Sequence, residues 1–286
     1  MSKNTKCVAM VTGASRGAGK GIAVALGEKG ATVYVTGRTT KEGQFFLPGT
    51  VYETAEQITA AGGKGIAVIC DHSDDAQVKA LFTQVEKESG RLDILVNNVA
   101  DIHDDLISPG GFWEKPLQLV DILNVGLRSQ YVASYYAAPL MTRRKNGLIV
   151  FTSSFGSVCY MHGAAYGAQK AGVDKFAADM AVDLKEDNVA AVSIWMGPLW
   201  TSRTEWASKQ RPEQYGEFMK IAETPEFTGR IIHALYKDTD LMMLSGQTLI
   251  GAEMGEKYGI KDRDRQPPSY RSSLGEPRIP HPAIVR

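Results

Sequence analysis

Thr12-Gly13-Ala14-Ser15-Arg16-Gly17-Ala18-Gly19 is the stretch whose reading decides the fold of this chain. TGASRGAG follows the apolar run Cys7-Val8-Ala9-Met10-Val11 and opens a helix-like stretch from Lys20 to Lys29. The β-branched run Ala31-Thr32-Val33-Tyr34-Val35-Thr36 comes next, so the order reads strand, helix, strand. In such a βαβ unit Gly13 permits the tight turn and Gly17 lets the backbone approach a pyrophosphate. Gly19 lets the helix pack closely on the sheet, and the helix N-terminus faces the anion. The spacing is G-x-x-x-G-x-G, not the commoner G-x-G-x-x-G. A glycine-rich turn without a ligand is the plain alternative, and the flanking strand and helix weigh against it.

Outward from that unit, strand and helix alternate. Strands are predicted near residues 6–12, 31–36, 64–70, 92–97, 147–153, 189–196 and 246–251, and helices near 18–29, 51–62, 75–89, 116–144, 164–186 and 226–236. Continuous apolar runs such as Ile94-Leu95-Val96 suit a parallel sheet buried on both faces. The pattern predicts an α/β fold, a doubly wound parallel sheet of about seven strands, with its ligand site at the strand carboxyl ends. No internal repeat or Pro/Ser-rich linker interrupts the 286 residues before the end, so a single domain is expected over residues 1–260. The polar, proline-bearing tail, residues 261–286, has no period and reads as disordered or as an arm across a neighbouring subunit.

Composition narrows the function classes. Thirty-two basic residues balance 32 acidic ones and no basic stripe is present, which argues against nucleic acid as a partner. No apolar run approaches the ~20 residues needed to cross a bilayer. MSKNTKC leads straight into the first strand without a visible secretory signal. Three cysteines, Cys7, Cys70 and Cys159, suit a reduced compartment, and Cys7 and Cys70 read as core residues. A cytoplasmic location is expected, and no metal site.

A second motif adds chemistry. Tyr166 and Lys170, in GAAYGAQKAG, lie four residues apart and share one face of a helix. A nearby cation favours the phenolate and lowers the tyrosine pKa towards working pH. Such a pair can give or take a proton on an alcohol or carbonyl oxygen. Alone, Tyr-x-x-x-Lys is common and says little; downstream of a glycine-rich nucleotide motif it says much more.

The two motifs in this order resemble the short-chain dehydrogenase/reductase family, over roughly Lys6 to Leu249. Asn97-Asn98-Val99-Ala100 is similar to the family's Asn-Asn-Ala-Gly, with Ala100 replacing a glycine. Asn124 in ILNVGL is similar to the asparagine of the long following helix, and Ser154 to the catalytic serine. FWEKP, NVGLRS and LSGQTL with the trailing KYGIKD resemble the branch called dehydrogenase/reductase member 1. The resemblance implies hydride transfer between a nicotinamide dinucleotide and a carbonyl or alcohol. Tyr166 would be the general acid/base, and Lys170 would lower its pKa and hold the ribose. Ser154 would bond the carbonyl oxygen, and Asn124 would bind a water linking Lys170 to solvent. It also implies cofactor contacts from Gly13, Ser15, Arg16, Gly17, Ala18, Gly19, Arg38, Asp71, His72, Asn98, Tyr166, Lys170, Leu199 and Thr201. Each role has a plain alternative: Asn124 satisfying a buried backbone group, Ser154 ending a strand, Lys170 on a helix surface.

The second strand ends Thr36-Gly37-Arg38, with no acid to accept from a ribose 2′-hydroxyl. Arg16 and Arg38 suit a 2′-phosphate, which points to NADP(H) over NAD(H); both could equally be solvated surface residues. Asp71 matches the family position beside the adenine amino group and also reads as the start of a helix cap. After the sixth strand the chain reads Met196-Gly197-Pro198-Leu199-Trp200-Thr201 where the family has Pro-Gly; aligning on Gly197 keeps Thr201 at the usual threonine, whereas aligning on Pro198 shifts every residue beyond it.

Two insertions are expected to shape specificity. Residues 40–50 carry Phe45, Phe46 and Leu47, which pack locally or meet another subunit. Residues 199–225 occupy the substrate-loop position. Trp200, Trp206, Tyr215 and Phe218, with Phe155, Tyr160 and Met161, line an apolar pocket for a bulky ketone or secondary alcohol, or are in part ordinary packing. Small residues on the helix around Tyr166 and the family habit imply a homodimer or homotetramer. A catalytically silent nucleotide sensor is the alternative from another class. A sugar-nucleotide epimerase needs a larger carboxyl-terminal domain than this chain has room for.

Overall fold

A computed structural model describes residues 6–285. Seven parallel strands form one sheet in the order β3-β2-β1-β4-β5-β6-β7. They are β1 (Val8–Val11), β2 (Thr32–Gly37), β3 (Lys64–Ile69), β4 (Ile94–Asn97), β5 (Gly147–Ser153), β6 (Val189–Trp195) and β7 (Thr248–Ile250). Six fall within the stretches predicted from sequence, and β2 runs one residue past its stretch, to Gly37. The helices are α1 (Gly17–Glu28), α2 (Val51–Ala60), α3 (Asp75–Ser89), α4 (Asp121–Leu123), α5 (Ser129–Thr142) and α6 (Ala164–Leu184). They continue with α7 (Ser202–Gln210), α8 (Pro212–Ile221), α9 (Pro225–Lys237), α10 (Leu241–Leu244), α11 (Gly251–Tyr258) and α12 (Arg271–Leu274).

Because strand side chains alternate, each strand feeds two cores. Ala9, Val11, Ile94, Val96, Leu148 and Val150 pack with Ile22 and Leu26 of α1 and Phe227, Ile231 and Leu235 of α9. Met10, Tyr34, Leu95, Ile149 and Phe151 face the other way, onto Val78 and Phe82 of α3, Ala133 and Ala137 of α5, and Val173 and Ala177 of α6. Burial of both faces accounts for strands that are continuously apolar, as a parallel sheet requires. Strand order reverses between β1 and β4, so the loops leaving their carboxyl ends diverge and open a crevice.

Two regions differ from expectation. The helix expected over 116–144 is irregular in its first half: 3-10 turns at Leu117–Val120, the short α4, and a π-helical segment at Asn124–Arg128 before α5. The widened turn frees the Gly126 carbonyl, and the Gln169 side-chain amide donates to it at 2.6 Å. The first part of the tail packs on its own chain. Asp262 is fully buried and accepts from the Thr224 N–H at 3.0 Å, Gln266 donates to the Ala252 carbonyl at 2.7 Å, and Arg271 pairs with Glu253 at 2.7 Å. Tyr270 and Leu274 join a small cluster around Phe155 and Trp195. These are single polar anchors and isolated apolar contacts, which leave no period in the sequence.

Candidate active site

The glycine loop sits at the crevice. Gly13 has φ +64, and a β-carbon there would lie 2.7 Å from the Val99 Cα, so both conformation and space demand glycine. Gly17 has φ +60, yet a β-carbon would meet nothing within 4 Å, because this residue borders open space. Asn98 locks the turn from β4: its side-chain amide donates to the Thr12 and Gly13 carbonyls at 2.9 and 3.1 Å, and its N–H donates to Thr12 Oγ1 at 3.0 Å. That cross-strand clamp fixes the loop whose N–H groups and helix N-terminus face the cavity.

The cavity measures about 510 Å³. Every residue expected to contact the cofactor lines its wall: Gly13, Ser15, Arg16, Gly17, Ala18, Gly19, Arg38, Asp71, His72, Asn98, Tyr166, Lys170, Leu199 and Thr201. The wall residues His72 and Tyr215 also carry polar atoms with no partner among the described residues, the ring Nδ1 and the phenol hydroxyl. Buried polar atoms of this kind call for a ligand or water. Glycines that open the floor, orphaned polar atoms and a helix N-terminus together fit a dinucleotide.

At the far end, Ser154 Oγ and Tyr166 Oη lie 2.9 Å apart. Ser154 follows β5, Tyr166 and Lys170 lie one turn apart on α6, and the ammonium of Lys170 sits 5.4 Å from the Tyr166 ring centroid. Lys170 is buried and donates to the Thr152 carbonyl at 3.2 Å. Burial pushes the Tyr166 phenol above the usual tyrosine range, partly offset by its bond to Ser154. Burial brings Lys170 down to about 8, opposed by the Asp174 carboxylate one turn further on. Desolvation of the phenol sets the direction of its shift, opposite to the lowering expected from a neighbouring cation. Asp174 itself accepts from Ser193 Oγ at 2.5 Å and Trp195 Nε1 at 2.9 Å, which ties α6 to β6 behind the lysine.

Asn124 is not brought to this cluster. Its side chain is exposed and donates to Asp121 Oδ1 at 3.2 Å, in a separate polar depression with Arg38, Arg128 and Ser73. Two residues on, Gly126 faces the inside, held by Gln169. Gln169 is fully buried and its Oε1 has no partner among the described residues.

Arg16 lines the cavity but most of its donors are committed: Nη2 to the Gly49 carbonyl at 2.8 Å and Thr39 Oγ1 at 3.1 Å, and Nε to the Pro48 carbonyl at 3.2 Å. Its guanidinium lies 4.8 Å over the Phe45 ring. Arg38 is more than half exposed and its pair with Asp71 is long, 3.6 Å. His72 bonds Thr36 Oγ1 at 2.6 Å, and burial brings its pKa down to about 4, so the ring is neutral.

Of the seven aromatic and sulfur side chains suggested for a substrate pocket, Trp206 and Tyr215 line the cavity. Phe155 turns into the small core with Trp195, and Met161 packs beside it. Tyr160 is 87% exposed, Trp200 lies under Arg263, and Phe218 is exposed. Within residues 40–50 Leu47 is buried and Phe46 meets Trp206 at 5.4 Å between ring centroids, while Phe45 and Phe46 remain partly open to solvent.

A family model described as short chain dehydrogenase matches residues 7–212. The chain belongs to the short-chain dehydrogenase family. It is 40% identical to Dehydrogenase/reductase SDR family member 1 of Mus musculus over 279 residues, covering 94% of this chain and 87% of that protein. Hydroxysteroid dehydrogenase-like protein 2 of Danio rerio is 29% identical over 278 residues, covering 96% of this chain and 63% of that one. A short chain dehydrogenase structure from Mycobacterium thermoresistibile superposes with a TM-score of 0.74 at 25% identity, covering 89% and 88% of the two chains. The likeness to member 1 agrees with the branch read from FWEKP, NVGLRS and LSGQTL. As a short-chain dehydrogenase the chain is an oxidoreductase of a family that works with a nicotinamide dinucleotide on small molecules.

Sequence reasoning passed over three residues of this short-chain dehydrogenase. His162, four before Tyr166, stacks edge-on to its ring at 5.0 Å and lines the cavity. Arg203 of α7 lines the rim and pairs with Asp104 at 2.8 Å. Gln169 precedes Lys170 directly. Only His162 had a usable signal, a titratable residue four positions ahead of the tyrosine, just before α6 begins. None of the helices of the described residues is long and apolar enough to cross a membrane.

Proposed function

We propose that this protein is an NADP(H)-dependent oxidoreductase that interconverts a ketone or aldehyde with an alcohol. The observation that carries the reading is the 2.9 Å Ser154–Tyr166 hydroxyl pair, whose tyrosine lines the same cavity as the glycine loop. Nicotinamide, when bound, supplies or accepts the hydride. In reduction Tyr166 donates the proton to the carbonyl oxygen, and Ser154 hydrogen-bonds the same oxygen and stabilises its developing charge. Lys170 holds its ammonium behind the phenol and favours the tyrosinate as the proton leaves.

The preference for NADP(H) rests on Arg38 at the end of β2, where an NAD-selective site needs an acid. Arg16 contributes to it mainly by shaping the loop that flanks this point. The substrate end is bordered by Leu106, Ile107, Leu199, Trp206, Ala207 and Tyr215, which supports a fairly bulky, largely apolar carbonyl compound. Tyr131 and Tyr135 stand 52% and 64% exposed on α5, Tyr131 against Phe176 of α6 at 5.7 Å, which supports a homodimer or homotetramer. A cytoplasmic setting agrees with three free thiols, two of them raised to about 12 by burial and so unreactive.

The test is NADPH and NADH oxidation with a panel of bulky ketones and aldehydes, for wild type and Tyr166→Phe. Turnover with NADPH that collapses in the variant while NADPH still binds is the expected result. Preference for NADH overturns the argument from Arg38, and tight binding without turnover in either direction favours a nucleotide sensor.

A further inference from the structure

The chain leaving β6 forms one lip of the cleft, with Met196, Leu199 and Thr201 on the cavity wall. Thr204 of α7 donates to the Leu199 carbonyl at 2.6 Å, and Glu223, in the connection between α8 and α9, holds Gly197, Pro198 and Trp200. The Glu223 N–H donates to the Pro198 carbonyl and the Glu223 carbonyl accepts from the Trp200 N–H, both at 2.8 Å, giving an isolated parallel bridge with Leu199. Its carboxyl adds a third bond, accepting from the Gly197 N–H at 3.1 Å. Glu223 is 2% exposed. A carboxyl so deeply buried, with no metal cluster among the described residues and no place in the proposed proton transfer, needs another reason to be there.

The carboxyl-terminal segment reaches Gly197 on the same side as Glu223. A β-carbon at position 197 would lie 3.1 Å from Glu223 Oε2 and 3.5 Å from Tyr270 Cε2, so acid and phenol crowd the same glycine. Tyr270 adopts a left-handed conformation, φ 60, which is uncommon for a tyrosine and sustained only by its packing. Its ring stands edge-on to Phe155 at 6.2 Å, and its hydroxyl is buried without a partner among the described residues. Asp262 and Arg265 complete the surroundings: Asp262 anchors Thr224 next to Glu223, and Arg265 donates to the Lys220 and Ala222 carbonyls.

We propose that Glu223 is a positioning residue: its carboxyl, bonded to the Gly197 N–H and sharing the space beside Gly197 with Tyr270, sets the Gly197–Leu199 lip of the cleft and transmits to it the docking of the carboxyl-terminal segment. Its effect on nucleotide affinity rests on the dinucleotide reading of the cleft; its effect on the lip does not. Burial, reinforced by Asp262 and opposed by Arg265, pushes the acid up to about 7. With the folded value raised above the unfolded one, the protonated acid is favoured in the fold, and this contribution fades as pH rises through about 7. The lip therefore loosens as pH rises through the neutral range.

The experiment is amide hydrogen exchange at Gly197 and Trp200 in the full chain between about pH 6 and 8.5, alongside NADPH titration by nucleotide fluorescence. Glu223→Ala strips the Gly197 N–H of its acceptor, so protection falls by roughly 5- to 100-fold and the NADPH Kd rises by about tenfold. Glu223→Gln keeps an acceptor, leaves protection within about threefold of wild type, and removes the pH dependence near 7. Tyr270→Ala lowers protection of the lip without touching it in sequence. Unchanged protection in Glu223→Ala overturns the proposal. If that variant does not fold, wild-type pH dependence surviving in Glu223→Gln overturns it instead. The expected exchange pattern in a protein that binds no NADPH supports the lip assignment and sinks the cofactor reading alone.

Discussion

The two ends of one cavity were not equally legible. At the nucleotide end, Gly13, Gly17, Gly19 and Asn98 sit where their motifs put them, at the carboxyl ends of β1 and β4. At the substrate end, five of the seven side chains suggested as pocket lining point elsewhere, and helices α7 and α8 were read as loop. The difference lies in what each end is made of. The first is built from backbone: a glycine is required or excluded by φ and by distance, and both follow from a local motif. The second is built from side-chain directions on short helices, which packing decides and periodicity does not.

The largest effect that can break the comparison lies where the two ends meet. Tyr166→Phe keeps the ring and loses the hydroxyl 2.9 Å from Ser154, so kcat is expected to fall by about 10²–10⁴-fold with NADPH affinity unchanged. Single-turnover kinetics with nucleotide titration checks both halves. A variant that retains a tenth of the activity moves proton transfer away from this residue.

Next in size is the glycine turn. Gly13→Ala meets the Val99 backbone at 2.7 Å in a left-handed conformation, and about 2–4 kcal/mol of stability is expected to go. Gly43→Ala, at φ +76 with nothing within 4 Å, isolates the conformational part alone, about 1–2 kcal/mol. Urea denaturation of the pair separates contact from conformation. Equal losses mean that the close approach to Val99 relaxes at no cost, and that the nucleotide end is less rigidly specified than its glycines suggest.

The substrate end gives smaller numbers. Trp206→Ala removes a ring from the cavity wall and the Phe46 contact together, and should raise the KM for a bulky ketone by about tenfold. Tyr160→Ala, at a side chain 87% exposed, should leave it within about twofold. The reverse ranking restores the pocket as read from sequence. A pH profile sharpens the same boundary. Lys170 titrates at about 8, so the reductive kcat/KM is expected to decline as pH rises through that value and the ammonium is lost. Its folded value lies below the unfolded one, so the same deprotonation makes the fold more stable towards high pH while activity falls. A profile flat across that range removes Lys170's charge from the mechanism.

Legibility tracks how local the cause is. The seven parallel strands, the glycine turn and the nearness of Ser154, Tyr166 and Lys170 follow from hydrophobic runs and short motifs. Arg16 shows where that stops: its position was right, but three of its bonds hold residues 39, 48 and 49, a partnership visible only once the 40–50 segment has folded back. The raised phenol of Tyr166 is another case, since burial depends on the whole fold and not on the spacing to Lys170.

Asn124 is the smallest expected effect and the most discriminating. By spacing it stood for the asparagine of the long helix, but a π-helical segment begins at this residue and turns its side chain out to Asp121. One extra residue in a helical turn rotates the next residues by about 100°, enough to exchange an inward for an outward position. Gly126 then faces the interior, and the buried amide of Gln169, next to Lys170, takes its carbonyl. Asn124→Ala should therefore change kcat by no more than about twofold, as for a surface substitution. Gln169→Leu leaves the Gly126 carbonyl without its donor and should reduce kcat more, by about tenfold, with a change in its pH profile. If Asn124→Ala proves the more damaging of the two, the helix opens its π-turn during turnover, and the motif was a better guide than the resting geometry.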